Sequence, residues 1–186
     1  PIAKELLLKD LKKANFVKRV KKRDKKRWYD LHFWRLPEKF SLTNFIKKLF
    51  RSKEEIIHEI YSFSALQCPN LMQEVGRLRE ISFRNEGGGT GKKTDIDRFD
   101  LFLDEHNNST TRGFLQLITW DPEQQEIVGG YRYAIMATLI YNNTIDSPSG
   151  ELFEFSQEFI EKYAGITIEL GRSFVQPKYQ REPHSL

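Results

Sequence analysis

Residues 77–102 read RLREISFRNEGGGTGKKTDIDRFDLF. The stretch opens as a helix-like run in which Leu78, Ile81 and Ser82 alternate with Arg77, Arg79 and Arg84. It passes through Gly87, Gly88, Gly89 and Gly91, then closes on Asp95, Asp97 and Asp100. Cations, a glycine loop and clustered carboxylates in one segment point to a polar site. A solvated charged loop, with glycines that only mark turns, is the plainer alternative.

Toward the C-terminus the pattern becomes that of a sheet. Cys68-Pro69-Asn70 punctuates the chain, and Asn70 is placed to cap a helix from Leu71 to about Phe83. Phe99, Leu101 and Leu103 alternate with charges as a short strand would, and Asn107–Thr111 is a polar turn cluster. Gly113–Trp120, GFLQLITW, alternates as a strand, and Asp121-Pro122 starts a turn. Ile127–Ala137, IVGGYRYAIMA, is a second strand that pairs with it as a hairpin. Its Gly129 and Gly130 mark a bulge or a closely approached backbone. Asn142–Gly150 reads as loop, Phe153–Tyr163 as helix and Ile166–Val175, ITIELGRSFV, as a third strand ended by Pro177.

Toward the N-terminus the chain is basic. Residues 4–27 read as a cationic helix; within them Lys18–Arg27, KRVKKRDKKR, holds eight cations and one acid. Trp28, Tyr29, Phe33 and Trp34 follow, and Pro37 ends the run. After Ser41, an N-cap candidate, Leu42, Phe45, Ile46, Leu49 and Phe50 share one helical face. A third helical run spans Glu54–Phe63. Residues 1–60 carry 18 Lys and Arg against 8 Asp and Glu, a balance of +10 within a chain whose formal net charge is +4. Three readings stand for this region. It binds an anionic membrane surface through residues 4–51, it binds nucleic acid, or it is a solvated helical hairpin packed on the main domain. Neither an RNA-binding aromatic signature nor a zinc finger supports nucleic acid.

Composition bounds the rest. The 186 residues are 39% hydrophobic and 13% aromatic, enough for a core. No run of eighteen apolar residues is present, and the first residues lack a signal peptide's apolar stretch and cleavage site. The single cysteine, Cys68, excludes an intrachain disulfide and fits a reducing, cytoplasmic setting. His32, His58, His106 and His184 have no metal-ligand spacing among themselves or with Cys68, so no metal site is expected. Gly91-Lys92-Lys93 lacks the Ser or Thr and the earlier glycine of a P-loop, and no G-x-S-x-G nucleophile elbow exists. What remains is Arg79, Asp97, Asp100, Arg132, Glu169 and Arg172. Glu169 and Arg172 lie on a core-like strand, where a charge must be paired or be costly. Such groups suit a pocket for a zwitterion, with carboxylates for its ammonium, arginines for its carboxylate and one acid as general base. They equally suit a structural Glu–Arg network bracing a sheet.

The ordered motifs Arg79-x-x-x-Phe83, Asp95-x-Asp97-x-x-Asp100, Gly129-Gly130-Tyr131-Arg132 and Glu169-x-x-Arg172 resemble those of the acyl-homoserine-lactone synthases. They look still more like the ornithine/glycine N-acyltransferases of lipid synthesis, often labelled hemolysins; both groups belong to the GNAT superfamily. The likeness covers residues 76–180. It implies an amino-acid acceptor and a long-chain, 3-hydroxylated acyl donor on acyl carrier protein or coenzyme A, a phosphopantetheine thioester that is substrate and not a bound cofactor. By position, Arg79, Phe83, Asp97, Asp100 and Arg172 would line the acceptor pocket, Arg132 would support it and Glu169 would take the ammonium proton. Asp95 stands where the synthases have glutamate, and glycines replace their tryptophan, which argues against adenosylmethionine as substrate.

The expected fold is therefore α/β, a GNAT-like mixed and largely antiparallel sheet with flanking helices. Residues 1–67 are expected as a basic helical extension and 68–186 as the acyltransferase domain. The thioester-binding half that follows in GNAT proteins is absent after Tyr179-Gln180, so a fragment, completion by a second polypeptide or loss of activity is expected. The predicted function is N-acylation of a small amino acid, glycine or ornithine, for aminolipids. The setting is cytoplasmic and peripheral on the inner membrane face. The rival is a non-catalytic membrane-surface or partner-binding module.

Overall fold

The computed structural model describes residues 1–21 and 56–180. In chain order its elements are α1 (Lys4–Leu11), β1 (Asn15–Lys21), β2 (Ile56–Phe63), α2 (Pro69–Asn85), β3 (Leu115–Asp121) and β4 (Glu126–Ile135). They continue with β5 (Ile140–Tyr141), β6 (Thr144–Ile145), α3 (Pro148–Leu152), α4 (Gln157–Lys162) and β7 (Ile168–Val175). Five strands form one sheet in the order β1-β2-β3-β4-β7, antiparallel throughout, while β5 and β6 make a small separate hairpin. The expected α/β class, with a largely antiparallel sheet and flanking helices, is what is found.

Alternation along the central strands explains the layering. Gln116, Ile118 and Trp120 of β3 stand opposite Arg132, Gly130 and Ile127 of β4, and all six are buried. This face meets α2, whose Leu71, Met72, Val75 and Leu78 share a core with Leu7 and Leu11 of α1 and Phe63, Ile118, Trp120 and Phe174 of the sheet. A second cluster lies further along the sheet: Phe99, Phe114, Ala134, Met136, Leu139, Ile145 and Ala164, with Phe155 and Phe159 of the α3–α4 region against it. The paired glycines behave as the sequence indicates. The register slips beside Gly129, and a Cβ on Gly130 would overlap the Leu117 carbonyl of β3, so only glycine lets the strands approach there.

Two helical expectations give way to strands. The helix expected over residues 4–27 stops at Leu11, and Asn15–Lys21 is β1, antiparallel to β2. Register shifts after Phe16 and after Val20 break its alternation and hide the strand behind the lysines. The run Glu54–Phe63 is likewise strand from Ile56 onward, rich in the β-branched and aromatic residues that favour a pleated surface. Its Tyr61 and Phe63 face the α2 side while Ser62, hydrogen-bonded at 2.9 Å to the Tyr133 hydroxyl, faces away. Because β2 pairs with β3, strands from both sides of residue 67 share the sheet. The rest of the basic arm, from Lys22 through the aromatics and the Ser41-capped run to Glu55, lies outside the described residues.

Four local readings also change. Phe99, Leu101 and Leu103 form no strand: residues 98–102 are turn, and only an isolated bridge joins Leu103 to Ser109. The final helix begins at Gln157 rather than Phe153, capped by Ser156, whose hydroxyl accepts from the Phe159 N–H at 3.2 Å. The loop expected over Asn142–Gly150 holds β6 and the start of α3. The long helix is found at Pro69–Asn85, but Asn70 does not cap it. Asp10 at the end of α1 does so from a distance: its Oδ2 accepts the Asn70 N–H at 2.7 Å and the Leu71 N–H at 3.3 Å, and its backbone carbonyl accepts from Cys68.

Asp10 is 1% exposed. Burial pushes its carboxyl upward, but the Asn70 and Leu71 amides and Lys13 outweigh that and hold it below the ordinary value. A lowered folded pKa means its contribution is complete above the unfolded pKa, about 4, and fades as pH falls through the folded value. Asp10→Ala is therefore expected to cost about 1–2 kcal/mol at neutral pH in urea unfolding. The gap from the parent chain should narrow as pH falls through the lowered folded value and the carboxyl takes up its proton.

Candidate active site

Where the two core clusters meet on the α2 face of the sheet, six charged side chains converge. Three are the arginines Arg79, Arg132 and Arg172; three are the aspartates Asp95, Asp97 and Asp100. Arg79 projects from α2 and is fully buried. It donates from Nη1 to Asp100 Oδ2 at 2.9 Å and from Nη2 to Gln116 Oε1. Gln116 in turn donates from Nε2 to Asp100 Oδ1 at 2.9 Å, closing a ring of three side chains. Gln116 was missed in the sequence; the signal was a lone polar residue with inward parity in GFLQLITW.

The segment after the glycine loop supplies the acids. The Asp95 N–H donates to the Gly76 carbonyl of α2 at 2.9 Å, which fixes where the segment starts. Asp97 then accepts the Phe99 and Asp100 amides on Oδ1 at 3.1 and 3.2 Å, folding residues 97–100 into a tight turn. That turn presents both carboxylates to β4. Arg132 Nη1 donates to Asp97 at 2.7 Å and lies 3.3 Å from Asp100 Oδ2, with the Phe114 ring centroid 4.9 Å from its guanidinium carbon.

Arg172 joins from β7 by an irregularity in the strand. Gly171 pairs with Arg132 and Phe174 with Gly130, so two residues of β7, Arg172 and Ser173, oppose the single residue Tyr131. Arg172 takes φ 52°, the left-handed region, which is strained for a side chain with a Cβ. The bulge turns its guanidinium onto the acids: Nη1 lies 3.1 Å from Asp95 Oδ2 and Nη2 3.5 Å from Asp97 Oδ2. Arg172 is also the most open member of the cluster, with its side chain 34% exposed, and it lines a cavity with Tyr131, Leu170, Gly171 and Ser173.

Glu169 makes no ion pair to these six, yet it stands on their face. It pairs with Ala134, two residues along β4 from Arg132, and alternation puts both positions on one side. Its Oε1 accepts from the Ser149 N–H at 3.1 Å and the Ser149 hydroxyl at 2.9 Å. Its Oε2 is buried without a partner, as are the Nε atoms of Arg79 and Arg132. Phe83, one helical turn after Arg79, is partly buried against the first core cluster, outside the ion network. The acids therefore do meet Arg172 across seventy residues of chain, while Glu169 stands beside the network and Phe83 behind it.

Electrostatics differentiate the members. Burial pushes the Asp95 carboxyl up, against the pull of Arg172 and Arg79. Desolvation also opposes ionisation of Asp97, but the Arg132 charge and hydrogen bonds prevail and hold it below its usual value. Desolvation lowers Arg79, opposed by Asp100. Glu80, also missed, ties the glycine loop to α2. It accepts the Thr90 N–H and hydroxyl at 2.9 and 2.7 Å and the Gly91 N–H at 2.9 Å, and with Arg84 these bonds lower its pKa to about 2. Among the described residues no group of His, Cys, Asp and Glu is placed to hold a metal ion, and no helix is long and apolar enough to cross a membrane.

Fold and site together define an α/β domain with an arginine–aspartate cluster under the last strand of its sheet. Residues 78–186 match the family model of the acetyltransferase (GNAT) domain, and the chain belongs to that family. A glycine N(alpha)-acyltransferase of Phocaeicola vulgatus is 40% identical over 136 residues, covering 72% of this chain and 39% of that protein. Another of the same name from Bacteroides thetaiotaomicron is 45% identical over 126 residues, 66% of this chain and 35% of that protein. The chain thus spans well under half the length of the curated relatives it matches. No solved structure matches it.

The buried pair and the open one should respond differently to mutation. Arg79→Met leaves Asp100 without its main partner and is expected to destabilise the domain by about 3–5 kcal/mol. Arg172→Met, at a partly exposed pair, should cost under about 1 kcal/mol. Urea unfolding followed by circular dichroism measures both.

Proposed function

We propose that the protein is an N-acyltransferase that joins an acyl chain to the amino group of a small amino acid, glycine before ornithine. The observation that carries this reading is the set of unmet hydrogen-bonding atoms. Glu169 Oε2 is a buried acceptor that lacks a donor, and Arg79 Nε and Arg132 Nε are buried donors that lack acceptors. Leaving such atoms unmatched costs about 1–3 kcal/mol each. A zwitterion supplies both complements at once, an ammonium for the carboxylate and a carboxylate for a guanidinium. A network built only to brace the sheet would satisfy its own members. The glycine N(alpha)-acyltransferase relatives carry the same acceptor in their name.

Glu169 then serves as general base. The acceptor amine is protonated near neutral pH and cannot attack in that form. Proton transfer to Glu169 Oε2 frees the lone pair, which attacks the thioester carbonyl; the C–S bond breaks, the amide C–N bond forms and a thiol departs. Arg132 and Arg172, held by Asp97 and Asp95, orient the acceptor's carboxylate so that its amine meets the base. The donor is a 3-hydroxyacyl thioester of acyl carrier protein, and the product an acylated amino acid of the aminolipid class. Acyl carrier proteins are acidic, and Lys4 and Lys9 of α1, Lys12 and Lys13 just after it, and Lys18 and Arg19 of β1 are all exposed. The same basic arm, residues 4–51, places the enzyme on an anionic, cytoplasmic membrane face.

Three measurements test this. The full-length protein, given acyl carrier protein thioester and glycine, should release N-acylglycine detectable by mass spectrometry. Glu169→Gln should lower kcat by about 100-fold or more with glycine KM within a few-fold, and a folded variant at parental turnover would refute the base. Liposome binding should rise with anionic lipid and weaken with salt; indifference to both removes the membrane role.

A further inference from the structure

Glu169 has one oxygen occupied and one free, and the residue responsible lies twenty positions earlier in a stretch that the sequence presents only as loop. Ser149 donates twice to the same atom: its N–H and its hydroxyl both reach Glu169 Oε1, at 3.1 and 2.9 Å. An unrestrained carboxylate flips between equivalent oxygens. Two donors fixed on one side remove that freedom and leave Oε2, the atom without a partner, as the oxygen available to a substrate.

The turn that carries Ser149 is itself held. The fully buried Ser147 accepts the Gly150 N–H on its hydroxyl at 3.1 Å. Gly150 sits so close to the Ile145 carbonyl that no Cβ could be placed there, which seats the Ser-Pro-Ser-Gly turn against β6. Arg98 then ties this turn to the acids. It lies between Asp97 and Phe99 in sequence, donates from Nη1 to Asp146 at 2.8 Å and from Nη2 to Glu151 at 2.9 Å, and Arg112 adds a bond to Asp146 at 3.1 Å. One side of residues 97–100 therefore holds Arg132 and the other holds the turn that holds Glu169.

We propose that Ser149 is a positioning residue for Glu169, fixing the carboxylate so that Oε2 faces the acceptor amine, with the Arg98–Asp146 pair setting where Ser149 stands. This rests on Glu169 acting as the base.

The test is a set of variants in the full-length protein, assayed with glycine and a 3-hydroxypalmitoyl thioester of acyl carrier protein. Ser149→Ala removes the hydroxyl donor and is expected to lower kcat by about 10- to 100-fold, with glycine KM changed less than about twofold. Ser149→Thr keeps the hydroxyl and should restore most of that loss. In a Glu169→Gln background Ser149→Ala should cost little more, since the group it orients is already disabled. A Glu169→Gln enzyme at parental turnover overturns the base assignment itself. An inactive Glu169→Gln beside a fully active Ser149→Ala overturns the positioning role alone. Equal losses from Ser149→Ala in both backgrounds make Ser149 structural and likewise overturn it. If Ser149→Ala melts early, Ser149→Cys, with a weaker donor of similar size, is judged by the same three outcomes.

Discussion

The Arg79–Asp100 pair, 2.9 Å apart and shielded from water at both ends, is the constraint under which the rest of the domain is arranged. Ionised groups in such a place are tolerable only with nearly every hydrogen bond made. Meeting that condition takes contributions from four elements. Helix α2 brings the guanidinium, β3 brings Gln116, the 97–100 turn brings the carboxylate, and β4 brings Arg132 as a second cation. The glycines of β4 let β3 come close at the same level of the sheet, so the ring sits at the seam between the two apolar clusters. Helix and sheet are registered to one another by this ring as much as by apolar packing, which alone tolerates sliding.

Around that fixed ring the polarity grades outward. Asp100 and Arg79 are sealed, Arg132 and Asp95 are nearly so, and Asp97 and Arg172 reach water. Three cations face three anions, so the cluster is close to electrically neutral. A neutral zwitterion adds no net charge to it, whereas a simple anion or cation would unbalance it. Of the four buried side-chain atoms without a partner among the described residues, three belong to Arg79, Arg132 and Glu169, and the fourth is Nδ1 of His58 in β2. Such exceptions are where a ligand's own groups are expected.

How much of this could be read from the sequence follows from what each segment asks of its neighbours. The β3–β4 hairpin and β7 were legible because their apolar periods are long and bounded by Asp-Pro, paired glycines and Pro177. The charged residues of the site were legible because glutamate and arginine on a core-like strand demand partners, and because four ordered motifs resembled a known family. The strands β1 and β2 were not. In IIHEIYSF the apolar spacing fits a helix as well as a strand, and only pairing with β3 decides between them. In β1 the lysines suggested a solvated helix, and the register shifts erased the alternation. The turn at residues 97–100 masqueraded as a strand because the Asp97 side chain, not apolar burial, dictates its shape. Asp10 and Ser149 escaped because each acts on a partner far away in sequence, Asn70 and Glu169, whereas Gln116 was marked only by its inward parity and Glu80 looked like an ordinary helical partner of Arg84.

The strand carrying Glu169 and Arg172 holds one further implication. In a regular strand, residues an odd number of positions apart point to opposite faces, so a spacing of three should divide this couple. They serve one side of the sheet only because the left-handed residue at Arg172 resets the parity of the strand. Read backwards, an odd interval between two groups that must cooperate on a strand is itself a record of broken pleating. Glu-x-x-Arg therefore specifies a backbone shape as well as a pair of side chains, and a substitution that let β7 pleat evenly would separate the two without altering either.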